Sequence, residues 1–261
     1  MKKIVIYTTD IHKTDNVLKH FYNGFKKQSK WIPHILNIKE YLKFGFPKGI
    51  DAIAVFGILR GTGKALLEAK NKNIDSFYFD HAYFDSGYKE NHWVRLCKNS
   101  HTMNYLKNAS PKRWFQNFNE KYKIKPWLHN FDKKKNQIII QPTSAISWYF
   151  SCHNWLDQTL TFLKQRLNKD IFSDIKIRVK PKEPIVDING NFLGLKETNV
   201  VNQVQLQDDL DDARLVIAFN SQVALEATIQ GIPIIVNEHN ACNSISFSFS
   251  HIKDNLKNEV F

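Results

Sequence analysis

The chain has 261 residues, 43% of them hydrophobic and 13% aromatic, which argues against global disorder and provides core material for two modest domains or one large one. Its 37 Lys and Arg against 25 Asp and Glu give a net charge of +12, which favours an anionic partner, although a proteome rich in Lys, Asn and Ile would leave the same bias. Three separated cysteines argue against a disulfide framework and a structural zinc, and the lack of any long apolar run or signal-peptide pattern predicts a cytoplasmic protein without a membrane span.

The first half of the chain alternates strand and helix patterns. Strands are predicted over residues 3–8, 31–36, 53–57 and 76–80, and helices over 15–28 and 63–72. This alternation is typical of a parallel sheet with right-handed crossovers, which binds ligands outside the carboxyl ends of its strands. That rule directs attention to residues 8–10, 57–63 and 80–84.

A glycine-rich turn follows the third predicted strand. Arg60-Gly-Thr-Gly-Lys64 fails the Walker A spacing, because Gly57 lies one residue too far upstream, and Leu66 replaces the third glycine of the dinucleotide fingerprint. The turn is therefore either a simple tight connection or an acceptor-side loop in which Arg60 and Lys64 face a cleft.

An aromatic strand then ends in an acid and an imidazole. Its sequence is Phe77-Tyr-Phe-Asp80-His81-Ala-Tyr83-Phe84. The hydrophobic approach is expected to raise the pKa of Asp80, or of a partner of His81, into a range useful for proton transfer. The alternative interpretation is a capped strand end with His81 bonded to backbone.

A polar break over residues 123–135 predicts an interdomain linker. The first domain would cover 1–132, the second 133–245, and a closing segment, expected to be helical, 246–261. The second domain is predicted to have strands at 137–140, 175–179, 215–219 and 232–236, with a helix at about 154–167.

Three polar motifs lie in the second domain. The turn Gln141-Pro-Thr143-Ser144 is a capped start to a helix, and Arg178-Val-Lys180-Pro-Lys182 ends a strand with cations that suit a phosphate, although a solvated lysine cluster would look the same. Asp209-Leu-Asp211 has the form of a metal-binding DxD, but its position ahead of a strand favours a solvated helix face.

The most informative stretch is residues 213–236. An apolar strand to Phe219 is followed by the helix-capping residues Asn220 and Ser221, and the helix ends before Pro233. A helix N-terminus at the carboxyl end of a parallel strand favours phosphate, and Glu226, one turn further, is placed to hold a ribose diol. Any doubly wound domain can contain such a capped helix.

Two blocks, residues 80–84 and 220–233, resemble GT-B glycosyltransferases. The second matches Asn/Ser-Ser-x-x-x-x-Glu-Ala-x-x-x-Gly-x-Pro of the capsule-polysaccharide and phage-encoded enzymes. The first block belongs to a series of motifs that resembles one in phage-encoded enzymes. The order of that series is Arg-Gly-x-Gly, Asp-His-x-Tyr-Phe, Arg and Asn, and here it extends from Arg60 to Asn99. The resemblance implies an α/β fold of two Rossmann-like parallel-sheet domains facing a central cleft, in a chain shorter than many of these enzymes.

The resemblance also implies an inverting transfer of sugar from a nucleotide sugar, expected to be a UDP-sugar, with no metal and no other cofactor. Asp80 would be the general base, with His81 a positioning group or the alternative base. The remaining residues divide into a donor set in the second domain and an acceptor set in the first. The donor set is Ser144, Arg178, Lys180, Lys182, Asn220, Ser221, Gln222 and Glu226, and the acceptor set is Arg60, Lys64, Tyr83 and Arg95.

For the acceptor, the net charge and the phage-like pattern favour a hydroxymethylated base in double-stranded phage DNA, modified in the cytoplasm of a host cell. The alternatives are a capsule or surface glycan, and a noncatalytic nucleotide- or DNA-binding protein of the same fold. The sequence leaves the sugar, the nucleotide and the oligomeric state open.

Overall fold

The computed structural model describes residues 1–28, 30–84, 93–102, 110–127, 136–180, 199–201 and 204–249. The chain forms two compact units, Met1–Met103 and Asn104–Phe261. Each unit contains a five-stranded sheet with helices, so the predicted α/β class with two predominantly parallel sheets is confirmed. Within the described ranges, no helix is both long enough and apolar enough to cross a bilayer.

The first unit has strand order β2-β1-β3-β4-β5, with β5 antiparallel to β4 and the other pairs parallel. Its elements are β1 (Lys2–Thr8), α1 (His12–Lys26), β2 (Trp31–Asn37), α2 (Ile38–Phe44), β3 (Ala52–Phe56), α3 (Thr62–Asn71), β4 (Asp75–His81) and β5 (Val94–Lys98).

Apolar runs explain the centre of this sheet. Every residue of β3 is buried, and Ile4 and Ile6 of β1 pack with Leu18 of α1 in the same core cluster. Pro33 is tolerated because β2 is an edge strand, where a missing N–H interrupts no inner ladder. The predicted strands are confirmed, whereas α2 and β5 were not predicted.

The second unit has strand order β10-β9-β6-β7-β8, with all described pairs parallel. Its elements are α4 (Lys112–Asn117), β6 (Asn136–Ile140), α5 (Ser144–Tyr149), α6 (Trp155–Arg166), α7 (Lys169–Ser173), β7 (Lys176–Arg178), β8 (Val200–Val201), α8 (Leu206–Asp211), β9 (Ala213–Ala218), α9 (Val223–Ile229) and β10 (Ile234–Val236).

Both faces of the second sheet are covered. Ile139 and Ile217 pack with residues of α6 and α7, whereas Ile138 and Val216 pack with residues of α8 and α9. Strands that are buried on both faces carry continuous apolar runs rather than alternating ones, which is the pattern seen in the sequence.

The predicted domain boundary after residue 132 lies outside the described residues and stays a prediction. Upstream of it, the Lys125 N–H donates to the Ile229 carbonyl at 2.8 Å, so this part of the chain is bonded to the end of α9. At the start of the predicted closing segment, Phe247 forms a parallel bridge with Ile235 of β10. Residues 250–261 lie outside the described residues.

Candidate functional site

The second sheet reverses its chain order between β6 and β9. From β6 the chain proceeds outward to β7 and β8, and it then returns to the other side of β6 with β9 and β10. Ile140 and Ala218 are register partners, so the loops after β6 and β9 begin side by side. Open α/β sheets bind ligands in the crevice at such a reversal. The predicted donor residues Ser144, Asn220 and Ser221 follow these two strands.

The turn from β9 into α9 is held by its own polar groups. The Ser221 hydroxyl accepts the Val223 N–H at 3.2 Å, while the amide of Asn240 donates to the Ser221 carbonyl at 3.1 Å. Asn240 is buried, and sequence analysis did not single it out. The helix begins at Val223, with Gln222 at its N-cap position, so the helix start lies slightly later than the Asn220–Ser221 cap predicted.

Glu226 lies in the first turn of α9 and is half-buried. In the described part of the chain its carboxylate makes no hydrogen bond and no ion pair. Burial raises its pKa above the ordinary value, and the charge of Arg178 opposes that rise only in part. A partly desolvated carboxylate without a partner is a strong acceptor for a pair of hydroxyl donors.

The turn from β6 into α5 is capped as predicted. The Thr143 hydroxyl accepts the Ile146 N–H at 3.4 Å, which makes the exposed Ser144 the first residue of the helix. The amide and hydroxyl of Ser144 thus belong to the loop that faces the β9–α9 turn across the strand reversal.

Arg178 ends β7 and is held at both ends of its guanidinium group. One nitrogen is bonded to the Asp209 carboxylate, and the other donates to the Val204 carbonyl at 2.9 Å. Asp209 is 2% exposed, and the Lys176 ammonium lies 3.8 Å from its other oxygen. The interpretation of Asp209-Leu-Asp211 as a solvated face is therefore wrong for Asp209, which is a buried counter-ion.

The motif that contains Arg178 has two further cations, Lys180 and Lys182, and the structure describes only the first of them. Lys180 is exposed, two residues beyond the end of β7. Lys182 lies outside the described residues.

In the first unit, Asp80 forms an ion pair with Arg95. The two residues are direct partners in the antiparallel register of β4 and β5, and the Arg95 guanidinium donates to the Asp80 carboxylate at 2.7 Å. The same carboxylate accepts the Tyr78 hydroxyl at 2.6 Å and the His81 N–H at 2.8 Å. Arg95 also donates to the Tyr83 hydroxyl at 2.6 Å. Three of the predicted residues, Asp80, Tyr83 and Arg95, thus form one network.

This network lowers the pKa of Asp80, which is opposite to the expected direction. Burial raises the pKa of its carboxyl group, but the charge of Arg95 and the hydrogen bonds from Tyr78, Arg95 and His81 outweigh burial, so the pKa lies below its ordinary value. The predicted rise in pKa is therefore wrong for Asp80. Asp80 is a fixed anion at neutral pH, and a carboxylate of low pKa is a weak proton acceptor.

His81 has a different environment from Asp80. Its ring packs edge-on against Phe56 with centroids 5.4 Å apart, and the residue is half-buried at the carboxyl end of β4. An imidazole nitrogen can accept a proton from a hydroxyl group. The strand end therefore holds one fixed carboxylate and one imidazole beside it.

The turn after β3 is a tight connection. The Thr62 hydroxyl donates to the carbonyls of Gly57 and Leu59, at 2.8 and 2.6 Å. Gly61 has a φ of +96°, and a Cβ there would lie 2.8 Å from Leu42. Arg60 precedes it with a φ of 60°, a strained value for a long side chain.

The four residues of the predicted acceptor set are divided between two environments. Arg60 and Lys64 are exposed, whereas Tyr83 and Arg95 are bonded to each other in the Asp80 network. Among the described residues, no group of three His, Cys, Asp or Glu side chains converges as metal ligands would.

No protein-family model and no curated protein matches the chain. Among solved structures, the Thermosulfurimonas dismutans KpsC beta Kdo 2,7 transferase is 16% identical and covers 99% of this chain and 88% of its own, with a TM-score of 0.48. The beta Kdo 2,4 transferase of the same KpsC is 12% identical, covering 88% and 78% with a TM-score of 0.41. Escherichia coli heptosyltransferase WaaC with ADP-2-deoxy-2-fluoro heptose is 10% identical, covering 90% and 88% with a TM-score of 0.32. These distant likenesses assign the chain to no family.

Proposed function

We propose that the chain is a GT-B-type glycosyltransferase that takes its sugar from a nucleotide sugar. The observation that carries this proposal is Glu226, a half-buried carboxylate without a partner in the described residues, at the strand reversal of the second sheet. The motif from Asn220 to Pro233 that resembles these enzymes is the same segment that forms this edge of the crevice.

In the proposed donor site, Glu226 accepts the two ribose hydroxyls. The phosphates lie towards Ser144, Asn220, Ser221 and Gln222, at the starts of α5 and α9. Lys180 and Lys182 are the proposed phosphate cations. Arg178 is proposed to support the site rather than to bind phosphate directly. Asp209 already pairs with its guanidinium group, and a hydrogen bond to the Val204 carbonyl fixes the direction of that group.

In the proposed reaction, His81 is the general base and Asp80 is a positioning residue. The imidazole takes the proton from the acceptor hydroxyl as that oxygen bonds to the anomeric carbon. The bond from this carbon to the phosphate oxygen breaks at the same time, so the nucleotide leaves with the electron pair and the anomeric centre inverts. Asp80 would hold Arg95 and the backbone of His81 in place through the bonds described.

For the acceptor, the first unit provides the charge that suits a polyanion such as duplex DNA. It has 17 Lys and Arg against 9 Asp and Glu, a net charge of +8 out of the chain's +12. Within its described residues, however, four of its cations already pair with carboxylates: Lys39 with Asp10, Lys72 with Glu68, Arg95 with Asp80 and Lys98 with Asp75. That pairing favours the second candidate, a glycan acceptor, and leaves Arg60 and Lys64 as the exposed cations of the predicted acceptor side.

Salt dependence distinguishes the two acceptors. If duplex DNA is the acceptor, the logarithm of its affinity should fall with the logarithm of salt concentration by about 0.9 per phosphate neutralised. Fluorescence anisotropy of a labelled duplex measures this slope, and Arg60→Gln/Lys64→Gln should reduce it. A flat response in the parental protein would favour the glycan.

Replacing Glu226 with alanine is expected to weaken nucleotide binding by ~1–3 kcal/mol, because the ribose hydroxyls lose their shared acceptor. Titration calorimetry with uridine, guanosine and cytidine nucleotides measures the loss of affinity and identifies the nucleobase of the preferred nucleotide. The matched control is Asp208→Ala, which removes an exposed carboxylate from the same unit. Equal affinities for the parental protein and Glu226→Ala would remove Glu226 from the site.

Binding alone does not separate an enzyme from a noncatalytic nucleotide-binding protein of this fold. Slow hydrolysis of a nucleotide sugar in the absence of an acceptor does, because water then takes the place of the acceptor hydroxyl. The proposal requires release of free nucleotide by the parental protein, with less release by His81→Ala.

A further inference from the structure

Residues 110–127 form a segment that is both basic and aromatic, and it has no role in the proposed reaction. It includes α4 and the turns that follow it. Five of its residues are Lys or Arg and only Glu120 is acidic, so its net charge is +4. No residue of this basic aromatic segment is buried, although five of its residues are aromatic.

Three of the aromatic side chains of the segment pack against one another. Trp114, Phe118 and Tyr122 contact one another, with ring centroids 5.9 to 6.5 Å apart. This cluster gives the segment a small core of its own and explains how a six-residue helix with no buried residue keeps its shape.

Other apolar side chains of the segment point to solvent. Phe115 is 63% exposed and Ile124 is 61% exposed, and Trp127 is 41% exposed where it contacts Phe247. Exposing large apolar side chains has a free-energy cost, and their grouping on one short segment marks an interaction surface.

The cations of the segment accompany these apolar side chains. Lys112 and Arg113 immediately precede the aromatic pair Trp114-Phe115, and Lys123 and Lys125 flank Ile124. Within the described residues, these four cations form no ion pair. The backbone bond from Lys125 to the Ile229 carbonyl ties this surface to the second sheet's own layer of helices.

The combination of side chains identifies the kind of partner. Net positive charge requires an anionic surface. Nucleic acid offers stacking faces to aromatic rings, but it offers little to an exposed isoleucine. The boundary of a bilayer accepts Phe, Trp and Ile among acyl chains while anionic headgroups pair with Lys and Arg.

We infer that the basic aromatic segment docks the chain onto an anionic phospholipid surface, with Phe115 and Ile124 entering the boundary between headgroups and acyl chains. The contact is peripheral, since it uses side chains of a short helix and its turns. The inference does not depend on the proposed transferase activity.

Sedimentation of the full chain with vesicles tests the inference. One vesicle type contains equal parts of phosphatidylglycerol and phosphatidylcholine, and the other contains phosphatidylcholine alone. Binding is expected only to the anionic vesicles. Lys112→Gln/Arg113→Gln should lower the partition coefficient about 25-fold, because each cation contributes about fivefold near an anionic leaflet. Phe115→Ser/Ile124→Ser should lower it about tenfold without any change of charge.

The matched control is Lys164→Gln/Lys169→Gln, which removes two exposed lysines from α6 and α7 of the same unit. It should bind anionic vesicles as the parental protein does. Circular dichroism establishes that each variant is folded. The inference is overturned by three results: no binding to anionic vesicles, binding that Phe115→Ser/Ile124→Ser leaves unchanged, or binding of duplex DNA rather than vesicles through the same side chains.

Discussion

Replacing His81 with alanine is expected to lower turnover by about 10²- to 10⁴-fold, the usual contribution of a general base. Donor affinity should be unchanged, because the proposed donor residues belong to the other unit. Asp80→Asn should lower turnover less, since its carboxylate is proposed to position Arg95 and His81 rather than to take the proton. Steady-state rates measured over a range of nucleotide-sugar concentrations separate an effect on turnover from an effect on donor affinity.

The pH dependence of the rate provides a second readout. If His81 is the base, the fall in activity on the acid side should follow protonation of a group other than a carboxyl group. If Asp80 were the base, its lowered pKa would move that fall below the ordinary carboxyl range of about 4. Abolished turnover in Asp80→Asn with normal turnover in His81→Ala would exchange the two roles. Parental rates in both variants would remove this strand end from catalysis.

Replacing Asp209 with alanine is expected to lower the free energy of unfolding by ~3–5 kcal/mol, because it leaves the Arg178 guanidinium largely buried without its counter-ion. Urea denaturation measures this loss. The control Asp208→Ala removes the neighbouring exposed carboxylate and should change stability by no more than about 0.5 kcal/mol.

A double variant tests whether the buried pair is the cause. Arg178→Met/Asp209→Leu replaces both charges with apolar side chains, and it should recover most of the stability lost in Asp209→Ala. A loss below about 1 kcal/mol in Asp209→Ala would mean that Arg178 remains hydrated and available to a phosphate, which restores its predicted donor role.

Local apolar pattern was sufficient to predict most of the fold. Runs such as Leu215–Phe219 have no alternation because both faces of their sheet are covered, and the strands they predict are present. The helix α2 was not predicted, although Asn37 and Glu40 form a capping box that the sequence displays. The strand β5 is short, antiparallel and at a sheet edge, so its five residues carry only a weak signal.

The strand end that carries Asp80 and His81 was predicted, but the electrostatics around these residues were not. Asp80 and His81 lie at the strand end expected of them, but the pKa of Asp80 depends on Arg95, which reaches it through the unpredicted pairing of β4 and β5. The burial of Asp209 likewise depends on Arg178, 31 residues away. Nearest neighbours in the sequence describe a side chain's propensity, whereas its charge state depends on partners that only the fold brings close.

The most direct measurement is of nucleotide release and sugar configuration when the chain is incubated with uridine, guanosine and cytidine sugars, with and without acceptor. We expect one nucleotide sugar to be cleaved and the product to be inverted. His81→Ala and Glu226→Ala should each reduce the rate, the first through turnover and the second through donor affinity. Failure of every nucleotide and nucleotide sugar to bind the parental protein would rule out the proposed transferase function.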